Sequence, residues 1–157
     1  MPARDEVDVA NVLLTKARGD EAGLRVLGEH PEVPDDVVGF HAQQAVEKQI
    51  KAVLTAHGIR FDKTHELSYL VGLIDENKID APPALEEAGM LTDWAVEFRY
   101  EGDEPPALDR AGALMLVVKV REWAEAQIAA VPSKAKAAAK QEPLTESDSS
   151  PPSTPSS

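Results

Sequence analysis

FHAQQAVEKQIKAVLTAHG, Phe40 to Gly58, is the longest stretch of clean helical patterning in the chain. At 100° per residue, Val38, Ala42, Val46, Ile50, Val53 and Leu54 gather into one apolar arc. His41, Gln44, Lys48 and Lys51 fall within a quarter-turn of one another, so one helix carries both a core face and a chemically mixed second face. Gly58 follows the last periodic residues and can take the left-handed conformation that ends a helix. At the other end, Pro31 and Pro34 stop the preceding segment from running on, and Asp35 is placed to cap the new helix.

Upstream, Val9, Val12, Leu13, Ala17, Leu24 and Leu27 recur at helical spacing between charged residues. This predicts one helix from Glu6 to about Glu29, with a break left open near Gly19 and Gly23, where each glycine costs about 1 kcal/mol of propensity. Downstream, Thr64 is a plausible cap for a short third helix carrying Leu67, Leu70, Val71 and Ile74 and ending near Asn77. IDAPPA is a loop, and Pro83 suits the first turn of a fourth helix. Leu85, Ala88, Leu91, Ala95 and Phe98 extend that helix to Tyr100, with Trp94 beside them, and EGDEPP interrupts it. A fifth helix is predicted from about Ala107 to Ala130; its middle, ALMLVVKV, is apolar on nearly all sides, as suits the centre of a bundle or a dimer interface. Trp94 and Trp123 both fall at core-compatible spacing and are assigned to packing. Beyond Pro132 the composition turns to Lys/Ala and then Ser, Thr, Pro and acid, too poor in apolar side chains to offset the entropy of ordering. The expectation is a helical domain over 1–131 and a disordered tail over 132–157. No period-2 strand and no internal repeat is visible, so the fold class is all-α.

With 157 residues the chain suits one domain with a real core. It has no cysteine, which excludes disulfides, Cys-type zinc sites and thiol chemistry, and no cofactor or metal is expected. There is no membrane-length apolar run and no signal-peptide pattern, so a cytoplasmic protein is expected. The net charge of −12 opposes broad contact with nucleic-acid backbones, so RNA binding would have to use a local patch.

FHAQQAVEKQIKAVL, then THEL, then AVEFRYEGD, in that order, resembles the motifs of the HEPN family of small helical bundles. The resemblance covers roughly Glu6 to Val131 and implies an antiparallel up-and-down bundle of four or five helices. It also implies a homodimer, often encoded with a minimal nucleotidyltransferase as a toxin and antitoxin. Many relatives are metal-independent ribonucleases whose active site is an Arg followed four to six residues later by a His. The Arg position corresponds to Arg99, but the residues that would carry the His are Glu104, Pro105 and Pro106. None matches a histidine, whose pKa near neutrality lets it move protons at a ribose hydroxyl and a leaving oxygen. The other Arg-x4-His pairs, Arg25 with His30 and Arg60 with His65, lie away from the family's position, and chance supplies roughly half a match.

Binding without cleavage is therefore the expected function, of a nucleotide, an RNA or a nucleotidyltransferase partner. Cleavage by a non-standard residue and a purely structural role in helix pairing are the alternatives. The candidate ligand-binding residues are His41, Gln44, Lys48, Lys51, Arg99 and Tyr100, and Arg99 is the catalytic candidate if the protein cleaves. The competing reading of the stripe is a solvated helix face with an i,i+4 pair between Glu47 and Lys51. His65, directly after Thr64, is read as packing or capping.

Overall fold

The computed structural model describes residues 5–94 and 107–132. Five α-helices are present in it: α1 (Glu6–Gly28), α2 (Asp35–Ala56), α3 (Leu67–Glu76), α4 (Ala84–Ala88) and α5 (Arg110–Ala130), with a 3₁₀ helix, Gly89–Trp94, directly after α4. There is no strand among the described residues. The fold is all-α, as the periodicity predicts.

Contacts along the seams fix the helix directions. Glu6 lies against Gly58, Gly23 against His41 and Gly28 against Val38, so α1 and α2 run antiparallel. Arg18 pairs with Glu125 and Glu21 with Arg121, so α1 and α5 are antiparallel as well. Asp35 meets Arg110 and Gln49 meets Val117, which sets α2 and α5 in the same direction. Helix α2 lies at the centre of this arrangement. Its predicted arc of Val38, Ala42, Val46, Ile50, Val53 and Leu54 is fully buried, each side chain contributing on the order of 1–3 kcal/mol. Ala45 and Ala52 are buried too, so the hidden face is wider than the apolar arc alone, and Gln49 is buried within that arc.

Helix α1 is unbroken through Gly19 and Gly23, because packing against α2 and α5 outweighs two weak propensities. Gly58 has φ +71° and ends the turn after α2, as predicted.

Several boundaries differ from the sequence reading. Pro34, not Asp35, occupies the N-cap of α2. The Asp35 carboxylate instead accepts from Leu108 N at 3.0 Å and from Arg110 Nε at 3.0 Å, tying the start of α2 to the start of α5. Thr64 does not cap α3; its Oγ1 accepts from Glu66 N at 3.0 Å and closes a turn one step earlier. The free amide of Leu67 finds Thr92 Oγ1 at 3.1 Å, a cap supplied from the 3₁₀ helix. Of the single helix expected from Pro83 to Tyr100, the described part, up to Trp94, is five residues of α-helix followed by the tighter 3₁₀ winding. Glycine at position 89 weakens α-propagation there, and the next turn holds Thr92 on α3 and buries Leu91 and Trp94. Helix α5 starts at Arg110, not near Ala107, because Asp109 caps it by accepting from Gly112 N at 3.0 Å. Trp94 and Trp123 are both buried, as assigned. Residues 95–106 and 133–157, which include Arg99, Tyr100, Glu104 and the tail, lie outside the described residues.

Candidate functional site

The stripe predicted on α2 is a partly buried polar seam rather than a fully solvated face. On its α1 side stands Asp20, whose side chain is 13% exposed. Its Oδ1 lies 3.1 Å from His41 Nδ1, and its Oδ2 accepts from Lys48 Nζ. On the α3 side stands Glu47, only 3% exposed. Its Oε1 lies 2.6 Å from His65 Nδ1 and 3.4 Å from Lys51 Nζ, and its Oε2 accepts from Gln44 Nε2 at 3.2 Å. The i,i+4 pair between Glu47 and Lys51 is thus present, but as one spoke of a buried hub.

His65 is held twice. Besides the ring contact with Glu47, its carbonyl accepts from Gln43 Nε2 at 3.1 Å, and Gln43 is itself fully buried. Gln44 Nε2 also donates to Gln43 Oε1 at 2.7 Å. The two motifs AQQAVEK and THEL are therefore one physical unit: the glutamines and glutamate of the helix clasp the connector that leads into α3. This agrees with the packing role read for His65.

Carboxylates drawn wholly or partly out of water need partners, since a charge left alone in a low-dielectric interior carries a desolvation penalty of several kcal/mol. Asp20 and Glu47 meet that need with Lys48, Lys51 and the two histidines, and in doing so fix where those groups point. His41, Lys48, Lys51 and His65 nevertheless stay reachable from solvent, at 29%, 25%, 17% and 33% side-chain exposure. Two aromatic rings border the seam. Phe40 meets His41 edge-on with centroids 5.9 Å apart, and Lys51 Nζ sits 5.8 Å from the Phe61 ring centroid.

The structure thus gathers His41, Gln44, Lys48 and Lys51, while Arg99 and Tyr100 lie outside the described residues. Asp20, Gln43 and Phe61 were not singled out from sequence. Asp20 sits on another helix with no local pattern to mark it, whereas the buried Gln43 and Gln49 had a signal: both fall within the predicted apolar arc. No group of three or more His, Asp or Glu side chains among the described residues could hold a metal ion.

A second ionic seam joins α1 to α5. Arg121 Nε donates to Glu21 Oε1 at 2.9 Å, and that bond holds the guanidinium pKa above its ordinary value. A third feature is the Arg110 side chain, which meets Asp35 at 2.9 Å and donates to the carbonyls of His30 at 3.0 Å and of Val33, bracing the α1–α2 connector. The Leu108 amide, and after it Arg110, holds the Asp35 carboxyl below its ordinary value.

An all-α bundle of long antiparallel helices, with a polar seam along its central helix, is the class these observations define. The family model of the HEPN domain matches residues 10–127, and the chain belongs to that family. No curated protein and no solved structure matches the chain. No described helix is long and apolar enough to cross a membrane.

Proposed function

We infer that this HEPN protein binds a nucleotide or an RNA segment without cleaving it, using the α2 seam of His41, Gln44, Lys48 and Lys51 together with Arg99 and Tyr100. The carrying observation is that two carboxylates, the partly buried Asp20 and the buried Glu47, preset the positions of four solvent-reachable side chains, His41, Lys48, Lys51 and His65. The non-cleaving part rests on the sequence after Arg99, where Glu104, Pro105 and Pro106 replace the histidine that proton transfer would use. The family's habits extend the reading to a cytoplasmic toxin–antitoxin setting with a minimal nucleotidyltransferase as partner.

Incubating labelled single-stranded RNA with the protein in EDTA, then running native and denaturing gels side by side, tests this reading. Retarded but full-length RNA is expected. Cleavage that disappears in Arg99→Ala would replace it with the ribonuclease reading; RNA neither retarded nor cleaved would remove the ribonuclease and RNA-binding readings, and nucleoside monophosphates that also fail to bind by calorimetry would remove the whole.

Self-association as a homodimer is a second reading, favoured by two exposed methionines. Met90 is 76% and Met115 59% exposed, on either side of a groove floored by Leu91, Ala113 and Leu116. Methionine side chains repack easily at contact surfaces. Sedimentation equilibrium checks it, with Met90→Lys plus Met115→Lys expected to shift a dimer to monomer.

A further inference from the structure

The seam's charge balance carries information about its ligand. Lys48 is paired with Asp20 and Lys51 with Glu47, so two ammonium groups face two carboxylates and, with the histidines neutral, no net positive charge is left. A polyphosphate would bring several negative charges beside Asp20 and Glu47, which already balance the two lysines, so its added charge would meet repulsion rather than a free cation of the seam. It would also meet the field of a chain with net charge −12.

What the seam keeps available is directional. Among the described residues His41 uses only Nδ1, leaving Nε2 open; Gln44 uses its amide nitrogen for two bonds, leaving Oε1 open as an acceptor. Each lysine has ammonium hydrogens beyond the one its carboxylate takes. Donors and an acceptor thus alternate along one helix face. The aromatic rings of Phe40 and Phe61 lie near the His41 and Lys51 ends, about 15 Å apart at 1.5 Å rise per residue. Hydrogen-bonding groups whose lysines are already paired, with an aromatic ring near each end, match an unpaired base, which offers a donor–acceptor edge and a π surface.

We propose that the α2 seam recognises a nucleobase by its hydrogen-bonding edge, with Gln44 as the reading acceptor and Phe61 as a stacking surface, rather than gripping a polyphosphate. This rests on the nucleotide- or RNA-binding reading above and names the part of the ligand that is read. The base can belong to a free nucleotide or to single-stranded RNA, since the chemistry at the seam is shared.

Calorimetry on the full chain separates the possibilities. The probes are the four nucleoside monophosphates, their triphosphates, inorganic tripolyphosphate and single-stranded hexanucleotides of each base. Affinity is expected to differ by about tenfold or more between the best and worst base, as it does where a site's polar groups would otherwise go unpaired. Monophosphate and triphosphate of the same base should agree within about threefold, because both lysines of the seam are already paired with carboxylates. Binding confined to hexanucleotides, with the same base ranking, assigns the base to RNA; equal binding of monophosphates assigns it to free nucleotide. Phe61→Leu and Gln44→Met should each weaken the preferred base about fivefold or more. Thermal melts confirm folding, and Gln44→Met serves if Phe61→Leu does not fold. Tripolyphosphate competing as well as the triphosphates, or phosphate number mattering more than base identity, would overturn the proposal while leaving nucleotide binding intact. Absence of binding by every probe would instead remove the reading on which it rests.

Discussion

His65 Nδ1 lies 2.6 Å from Glu47 Oε1, and this contact joins the connector before α3 to the buried edge of α2. Glu47 is almost wholly out of water and also serves Lys51 and Gln44. Its carboxylate is the point at which the polar stripe of α2 and the connector before α3 meet.

Removing that carboxylate strands its partners. Glu47→Ala is expected to lower unfolding free energy by about 3 kcal/mol, the usual cost of breaking a buried pair. His65→Ala, which removes one partly exposed partner and leaves Lys51 in place, should cost about 1 kcal/mol. Urea midpoints at constant slope measure both, and equal losses would contradict the hub.

Glycine substitutions should split in sign. A Cβ at Gly39 would fall 2.5 Å from Trp94 Cδ2, closer than real contacts allow, so Gly39→Ala must displace a buried indole. It is expected to cost about 1–3 kcal/mol, as overpacking does. At Gly19, within α1, nothing lies within 4 Å of the same added carbon. Gly19→Ala should therefore stabilise by about 0.5–1 kcal/mol through helix propensity. Thermal midpoints moving in opposite directions check the pair.

Asp35 sets an acid limit. Its folded pKa is depressed, chiefly by the Leu108 amide and then by Arg110, so its contribution is present above the unfolded carboxylate value, about 3.9. It is lost as pH falls through the lower folded value. Asp35→Asn should remove that share of the decline in stability below about pH 4, read from denaturation midpoints between pH 5 and pH 2.

Gln49 offers a milder test. Its Nε2 donates to Val117 O at 3.2 Å, while its buried Oε1 has no partner among the described residues. Gln49→Met gives up one bond and one unpaired acceptor together, so stability should stay within about 1 kcal/mol of the parent by denaturant titration.

The α2 core face was legible because six apolar residues repeat at 3.6 spacing over more than four turns, and all six are fully buried. The order of the helices and the left-handed Gly58 were readable for the same local reasons. What escaped was whatever depends on another element. Thr92 caps α3 from 25 residues away, and Asp35 serves α5 rather than its own helix. Asp20 organises His41 and Lys48 from α1 across an interhelical seam. Such pairings leave no periodic trace. The stripe itself was legible as ordered, but its burial was not, because glutamine and glutamate look solvated until their partners are known.

Ligand binding along α2 at His41, Gln44, Lys48 and Lys51 is read out by amide and side-chain NMR shifts, followed as single-stranded RNA and, in a parallel titration, nucleoside monophosphates are added to the full chain. Saturable shifts clustered at those four residues and at Phe61 are expected with at least one of the two ligands, with RNA left intact. Saturable shifts confined to other faces of the bundle, or none with either ligand, would contradict binding at the α2 seam.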